Sequence, residues 1–210
     1  MIQYRNATIE DMNEVAQVHI LTQPEYFTST LGVDLLSKFY AEFLREDNLF
    51  VVAYDDEKNK IVGFCMGNYY GSCAEKLWEK KYRKQIMKRL FIKCIQLNRL
   101  AISRSFRRVK GLLIKKKSNN KEIYFSHLLS LGVLLEYRGR HIASALIDEF
   151  ESRCLQSLSQ KLPEGGATCT IGAYKWNIAG KKLYEYKGYK VFEESNTKLK
   201  FTKDLLSYED

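Results

Sequence analysis

The sequence lacks the features that mark secreted, low-complexity and membrane-spanning chains. No apolar run approaches the roughly 20 residues that a spanning helix needs, and no charged segment followed by an apolar run stands at the N-terminus. With 12 glycines and two prolines in 210 residues, the composition is not collagen-like. The length suits a single domain, and 45% hydrophobic content is enough for one core. We therefore expect a soluble, cytoplasmic protein of one domain, residues 1–210.

Cysteine is present, but it shows no ligand pattern. The sequence has no CxxC pair and no spacing typical of a metal site. We therefore expect free thiols in a reducing compartment and no metal. The five residues are Cys65, Cys73, Cys94, Cys154 and Cys169.

The net charge of +9 is concentrated in one segment. Residues 76–117 hold 16 Lys and Arg against one Glu, an excess of 15 positive charges that leaves about −6 for the rest of the chain. Because the basic character is local, nucleic-acid binding by the whole protein is a weak interpretation.

The pattern of apolar residues predicts the element order β-α-α-β-β-insert-β-α-β-α-β-β. Thr8 followed by Asp11 is a variant capping box that opens the first helix. A basic, amphipathic helical insertion over 74–120 separates the third and fourth strands, with Trp78 on its apolar face. This order indicates an α/β (α+β) fold with a mixed sheet flanked by helices.

The heptapeptide YRGRHIA, residues 137–143, lies between a strand over 122–135 and an amphipathic helix. The nearly continuous apolar run of that strand predicts burial on both faces. The N–H groups at a helix N-terminus favour phosphate. Arg138 and Arg140 add two cations, and Gly139 lets the turn tighten. We place His141 in the first helical turn with a negative φ, so that it contributes its backbone N–H; a direct role of its imidazole is the alternative. The alternative is an ordinary strand-to-helix turn that happens to be basic.

A second block, NIAGKKLYEYKGYKVF over 177–192, follows another buried strand. Together the two blocks resemble the signature of the GNAT N-acetyltransferase superfamily, whose patterns are Gln/Arg-x-x-Gly-x-Gly/Ala and Asn-x-x-Ala-x-x-Leu-Tyr-x-x-x-Gly-Phe. The first pattern falls on Arg138, Gly139, Arg140, His141, Ile142 and Ala143. The second falls on Asn177, Gly180, Leu183, Tyr184, Gly188 and Tyr189. His141 departs from the pattern, and Gly180 replaces alanine as a small-for-small exchange.

The resemblance implies a mixed, mostly antiparallel sheet of six to seven strands whose central parallel strands splay apart. It also implies acetyl-CoA as the acyl donor and direct attack by a primary amine in a ternary complex. The residues it assigns to the donor are Leu131, Gly132 and Val133 for the pantetheine arm, residues 138–144 including Ser144 for the pyrophosphate, and Asn177 and Gly180 on the second helix. Gly132 would leave room beside the thioester. Tyr184 would protonate the leaving thiolate, since a phenol keeps its proton at pH 7.

Two residues are candidates for the general base. His127 lies 11 residues before Arg138, the spacing at which histone acetyltransferases of this superfamily carry their catalytic glutamate. The alternative for His127 is a hydrogen-bonded histidine in a strand. Glu75 is a weaker candidate, and His19 is expected to pack in the core.

Three interpretations of the insertion remain open. It is a lid over an anionic acceptor such as a nucleotide- or lipid-linked amino sugar, a helix pair that contacts anionic membrane through 76–117, or a solvated face or oligomer contact. The expected partner is a small-molecule amine, nucleic acid is not expected, and a dimer is plausible. The competing function is a non-catalytic basic module that binds anionic membrane or nucleic acid on a GNAT-like fold.

Overall fold

A computed structural model describes residues 1–45, 48–69, 72–95, 125–158 and 167–206. These ranges contain seven strands and five α-helices in the predicted order. The elements are β1 (Ile2–Asn6), α1 (Met12–Thr22), α2 (Val33–Ala41), β2 (Asn48–Asp55), β3 (Lys60–Tyr69), α3 (Ala74–Ile95), β4 (Ser126–Val133), α4 (Ile142–Leu158), β5 (Thr168–Tyr174), α5 (Ile178–Tyr186), β6 (Lys190–Glu194) and β7 (Lys198–Asp204). The part of the predicted insertion over 96–120 lies outside the described residues.

All seven strands form one sheet in the order β1-β2-β3-β4-β5-β7-β6. The β4–β5 pair is parallel and the other five pairs are antiparallel. The predicted mixed, mostly antiparallel sheet is therefore confirmed. A Cβ at Gly132 would point at Thr22 of α1, whereas one at Gly67 would point at Phe150 of α4. Because side chains alternate across a strand, α1 and α4 cover opposite faces of the sheet.

The predicted capping box holds the start of the first helix. The Thr8 N–H donates to Asp11 Oδ2 at 2.7 Å, and Arg5 Nη1 lies 2.6 Å from the same oxygen. Burial is the largest single influence on the pKa of Asp11 and raises it. The ion pair with Arg5 and the backbone hydrogen bond from Thr8 together outweigh burial, so the pKa of Asp11 is lowered. A single 3₁₀ turn, Ile9–Asp11, precedes α1, so the capping box opens that turn and the helix follows it.

Strand β4 departs from the predicted strand over 122–135. Residues 122–124 lie outside the described part, and the strand is not buried on both faces. Met66 pairs with Ser130 and Gly67 with Leu128, so Leu129 is an extra residue that forms a β-bulge and is 37% exposed. The continuous apolar run indicated full burial, but this stretch of the strand borders an open cavity.

Helix α3 packs on α2 through the predicted apolar stripe. Trp78 is 3% exposed, and its ring meets that of Phe39 edge-to-face at 5.2 Å. Leu90 is also buried, in a cluster with Leu31 and Leu35. Among the described helices, none is long and apolar enough to cross a membrane.

Candidate active site

A cavity opens where β4 and β5 separate. The two strands pair over only three positions, Ser126–Cys169, His127–Thr170 and Leu128–Ile171, and then diverge. The cavity has a volume of about 730 Å³. Its walls come from β4, from the turn and first residues of α4, from the start of α5, and from the segment that follows α1. The splayed parallel strands expected from the resemblance are therefore present.

The free edge of β4 faces this cavity. The Leu134 N–H donates to Val62 at 2.9 Å, so alternate residues of β4 bond to β3 and the residues between them direct their backbone groups toward β5. Leu131 and Val133 hold these outward positions. The Leu131 carbonyl accepts from Gln23 Nε2 at 2.9 Å, and the Val133 carbonyl accepts from Arg138 Nε at 3.3 Å.

Gly132 lines the cavity, and packing gives it a further reason for being glycine. Its backbone groups point toward β3, away from the cavity edge. A Cβ at this position would lie 2.7 Å from Thr22 Oγ1 and 2.8 Å from a ring carbon of Phe64. The absence of a side chain therefore lets the end of α1 approach the sheet, and this contact brings the segment after α1 to the cavity.

The turn between β4 and α4 has two residues in the left-handed region. Gly139 has a φ of 75° and His141 has a φ of 59°. The prediction of a negative φ at His141 was therefore wrong. Helix α4 begins at Ile142, and the His141 carbonyl accepts from the Ala145 N–H at 3.0 Å, so His141 is the residue before the helix. Its side chain is exposed, and histidine is one of the non-glycine residues that tolerate this conformation.

The two arginines of the turn are placed differently. Arg138 lines the cavity, as do Gly139, His141 and the first three helical residues, Ile142, Ala143 and Ser144. Arg140 is not among the lining residues, and its guanidinium lies 5.1 Å from the ring centre of Tyr137. The Tyr137 hydroxyl donates to Asp55 Oδ2 at 2.6 Å. Arg140 therefore covers the ring that fixes the turn, and one cation of the predicted pair faces the cavity.

Asn177 and Gly180 form the start of α5 on the opposite wall. The Asn177 side-chain oxygen accepts from the Gly180 N–H at 3.0 Å, which is an N-cap interaction. A Cβ at Gly180 would lie between 2.7 and 3.1 Å from three atoms of the Asn177 side chain. Gly180, which stands where the family pattern has alanine, therefore leaves Asn177 the space for its capping conformation.

Tyr184 lies in the second turn of α5 and lines the cavity. It is 7% exposed, and its ring packs edge-to-face on Phe201 at 5.6 Å. Burial raises the pKa of its hydroxyl above the ordinary value, and the neighbouring Tyr26 hydroxyl adds to this effect. The phenol therefore keeps its proton at neutral pH.

The structure does not bring the predicted base candidates to the cavity. His127 lies on β4 before the bulge, outside the lining residues, with Nδ1 2.8 Å from Thr170 Oγ1. Glu75 is exposed at the start of α3 and also lies outside the lining. His19 is buried, as expected of a packing residue, and burial lowers its pKa to about 4.

Among the cavity residues that the sequence did not indicate are Gln23, Glu25, Tyr26 and Trp176. The first three lie in the proline-containing loop after α1, which carries no motif. The ring of Tyr26 meets that of Trp176 at 6.0 Å and that of Tyr174 at 5.4 Å, both edge-to-face. Tyr26 therefore connects the loop after α1 to the end of β5.

Two groups of hydrogen bonds lie next to the cavity, one in the core and one at the edge of β4. His19 Nε2 lies 3.0 Å from Thr28 Oγ1, and His19 Nδ1 lies 2.5 Å from the Tyr40 hydroxyl. On the cavity side, Gln23 Nε2 donates to the Ser130 hydroxyl at 3.2 Å and to the Leu131 carbonyl at 2.9 Å. These two hydrogen bonds hold Gln23 against the free edge of β4.

Comparison with known proteins identifies the fold. No protein-family model and no curated protein sequence matches the chain. Solved structures do match it over nearly its whole length. One is the PaiA N-acetyltransferase of Thermoplasma acidophilum in complex with coenzyme A, with 16% identity and a TM-score of 0.56 over 97% of this chain and 99% of that one.

Two further solved structures match the chain with similarly low identity and a similar TM-score. Arabidopsis thaliana NAA60 in complex with acetyl-CoA has 16% identity and a TM-score of 0.55 over 97% of this chain and 98% of that one. The ribosomal-protein-S18-alanine N-acetyltransferase of Escherichia coli has 11% identity and a TM-score of 0.56 over 100% and 98%. The chain therefore has the fold of the GNAT N-acetyltransferases.

Proposed function

We propose that this protein is an acetyl-CoA-dependent N-acetyltransferase that acts on a primary amine by direct attack in a ternary complex. The observation that carries the proposal is the cavity between the splayed strands. It joins the N-terminus of α4, the free edge of β4 and the buried hydroxyl of Tyr184 in one continuous space. The fold, and the coenzyme A and acetyl-CoA present in two of the matching structures, support the same donor.

The groups that line the cavity suit, in turn, the diphosphate and the pantetheine arm of acetyl-CoA. The N–H groups at the start of α4 lack helical partners and, with Arg138, favour the diphosphate. The outward backbone groups of Leu131 and Val133 suit the amides of the pantetheine arm, as a strand edge suits a peptide. Gln23 holds the Leu131 carbonyl in this structure, so we expect its side chain to give way to the pantetheine arm. Asn177 would contact the arm from the other wall.

The role proposed for Tyr184 is to donate a proton to the leaving sulfur. The amine nitrogen forms a bond to the thioester carbonyl carbon and the C–S bond breaks. The thiolate of coenzyme A takes the proton of the Tyr184 hydroxyl, and the proton that the nitrogen releases returns to Tyr184 through solvent, so that the products are an amide, a thiol and neutral Tyr184. Burial raises the pKa of this phenol. A phenol that keeps its proton until the C–S bond breaks can donate it as negative charge develops on the sulfur.

We propose a small-molecule amine as the acceptor. Glu25, Tyr26 and Trp176 line the side of the cavity formed by the segment after α1 and by the end of β5. A carboxylate favours an ammonium group, and flat aromatic rings pack against the apolar face of a sugar or another ring. An amino sugar combines both features. No described residue of α3 lines the cavity, so the lid interpretation gains no support from that helix.

The test is acetyl transfer by the Tyr184→Phe variant. We expect the purified protein to bind acetyl-CoA in calorimetry and to release coenzyme A with a member of an amine panel. Tyr184→Phe should lower kcat by about 100-fold or more, the usual contribution of a positioned acid, while acetyl-CoA affinity changes little. Tyr189→Phe is the matched control, because this buried tyrosine donates to Cys169 and lies outside the cavity lining.

Two results would contradict the proposal. If the protein neither binds acetyl-CoA nor turns over any amine, the cavity is not a donor site and the non-catalytic binding module is favoured. If Tyr184→Phe and Tyr189→Phe have equal activity, Tyr184 is a packing residue and another group supplies the proton.

A further inference from the structure

Helix α3 has an inner face that fixes its orientation. Trp78 and Leu90 are buried against Leu31 and Leu35, with Tyr82 packed beside them. At the edge of this face, Lys81 Nζ forms an ion pair with Glu42 Oε1 of α2 at 2.7 Å. The inner face therefore belongs to the core, and the opposite side of the helix is directed to solvent.

The opposite side, called here the α3 outer face, combines cations with two large apolar side chains. At 100° per residue its members fall within an arc of about 140°. All of them are exposed: Met87 retains 52% of its accessible surface and Phe91 retains 67%. The members are Lys76, Lys80, Arg83, Lys84, Met87, Lys88 and Phe91.

The arrangement of these side chains is ordered. Met87 and Phe91 are four residues apart, so they lie one above the other on the helix surface. Lys84 and Lys88 lie on one flank of that apolar pair and Arg83 on the other, while Lys76 and Lys80 continue the line of the pair toward the start of the helix. The two acidic residues of the helix, Glu75 and Glu79, fall outside the arc. The face therefore has an apolar centre and a cationic border.

This composition distinguishes between two kinds of polyanion. A nucleic-acid backbone would be bound by the cations alone and gives no reason for an exposed methionine and phenylalanine at the centre. A bilayer surface uses both, because apolar side chains enter the boundary between headgroups and acyl chains while lysines reach the phosphates. Anionic lipids add attraction that the cations on this face would strengthen.

We propose that the α3 outer face is a peripheral docking surface for an anionic phospholipid bilayer. Met87 and Phe91 enter the interface, and the surrounding Lys and Arg side chains bind the headgroup phosphates. The helix lies parallel to the membrane plane, with its inner face still packed on α2. This inference is independent of the acetyltransferase proposal, because none of the α3 residues that the structure describes lines the cavity.

The test is flotation of the full chain with lipid vesicles. Phosphatidylcholine vesicles containing phosphatidylglycerol should carry the protein, whereas pure phosphatidylcholine vesicles should not, and added salt should weaken the binding. Met87→Ser with Phe91→Ser removes the apolar centre without changing charge, and Lys84→Gln with Lys88→Gln removes two cations. Each pair should weaken binding by about tenfold or more.

The matched control removes two lysines elsewhere. Lys182→Gln with Lys190→Gln changes two exposed residues outside the cavity lining and should leave vesicle affinity within about twofold. Circular dichroism and acetyl-CoA binding should be unchanged in every variant, which separates loss of docking from loss of fold.

Three outcomes would overturn the proposal. One is absence of flotation at low salt, and another is equal flotation of the Lys84/Lys88 and Lys182/Lys190 variants. The third is unchanged vesicle binding by the Met87/Phe91 variant. If that third result came with tight, salt-sensitive binding of duplex DNA, the face would be a nucleic-acid surface instead.

Discussion

Acidification should destabilise this protein through His19, and the size of the effect follows from the burial of that residue. The His19 imidazole is 3% exposed, lies between the hydroxyls of Tyr40 and Thr28, and stacks against Phe64 at 6.2 Å. Burial lowers its pKa from 6.5 to about 4. The folded protein therefore keeps His19 neutral at pH values where the unfolded chain protonates it.

The sign of the pH dependence follows from proton uptake. Between pH 6.5 and pH 4 the unfolded chain binds more protons at His19 than the folded protein does, so lowering the pH favours unfolding. With these two pKa values, the free energy of unfolding falls by about 2 kcal/mol between pH 7.5 and pH 5, and by about 3 kcal/mol at pH 4. This contribution is fully present above pH 6.5.

Urea unfolding of the wild type and of His19→Gln at several pH values isolates this contribution. The variant loses packing at every pH, so it should be less stable at pH 7.5. Because it has no imidazole to protonate, the difference between the two proteins should shrink by about 2 kcal/mol at pH 5. His141→Gln controls for removal of an exposed imidazole. A difference that stays constant from pH 7.5 to pH 5 would refute the reasoning.

Two further predictions concern the walls of the cavity. Gly132→Ala places a methyl group 2.7 Å from Thr22 Oγ1, so its free energy of unfolding, measured by thermal unfolding, should fall by about 1–3 kcal/mol. Gly172→Ala is the control, because a methyl group there meets nothing within 4 Å. Equal losses in the two variants would contradict the packing argument. His141→Gly relieves a left-handed φ of 59° and should stabilise the fold by up to about 1 kcal/mol with acetyl-CoA affinity retained. A large loss of affinity would show that the imidazole itself binds the donor.

The sequence predicted those parts of the site that depend on local pattern. A strand, a basic turn and a helix in succession indicate an anion site, and the start of α4 lies on the cavity as expected. The sign of φ at His141 was missed because it depends on whether the helix begins at residue 141 or 142. Periodicity does not locate a helix end to within one residue.

The rest of the site depends on contacts between distant parts of the chain. Gln23 reaches Leu131 across 108 positions, and no feature of the loop after α1 indicates that contact. Nothing in the apolar sequence of β4 predicts the bulge at Leu129, yet the bulge changes which side chains of β4 share a face. The 11-residue spacing from His127 to Arg138 therefore did not bring His127 to the cavity lining.

Charge is divided along the cavity in a way that favours one orientation of the donor. Arg138 and the N-terminus of α4 attract phosphate at one end. Glu25 and Tyr26 lie on the wall contributed by the segment after α1. Tyr184, the proposed acid, lines the same cavity as Glu25 and Tyr26. A donor anchored by its diphosphate would thus extend its thioester toward Tyr184, where an incoming ammonium is attracted and a departing thiolate can be protonated.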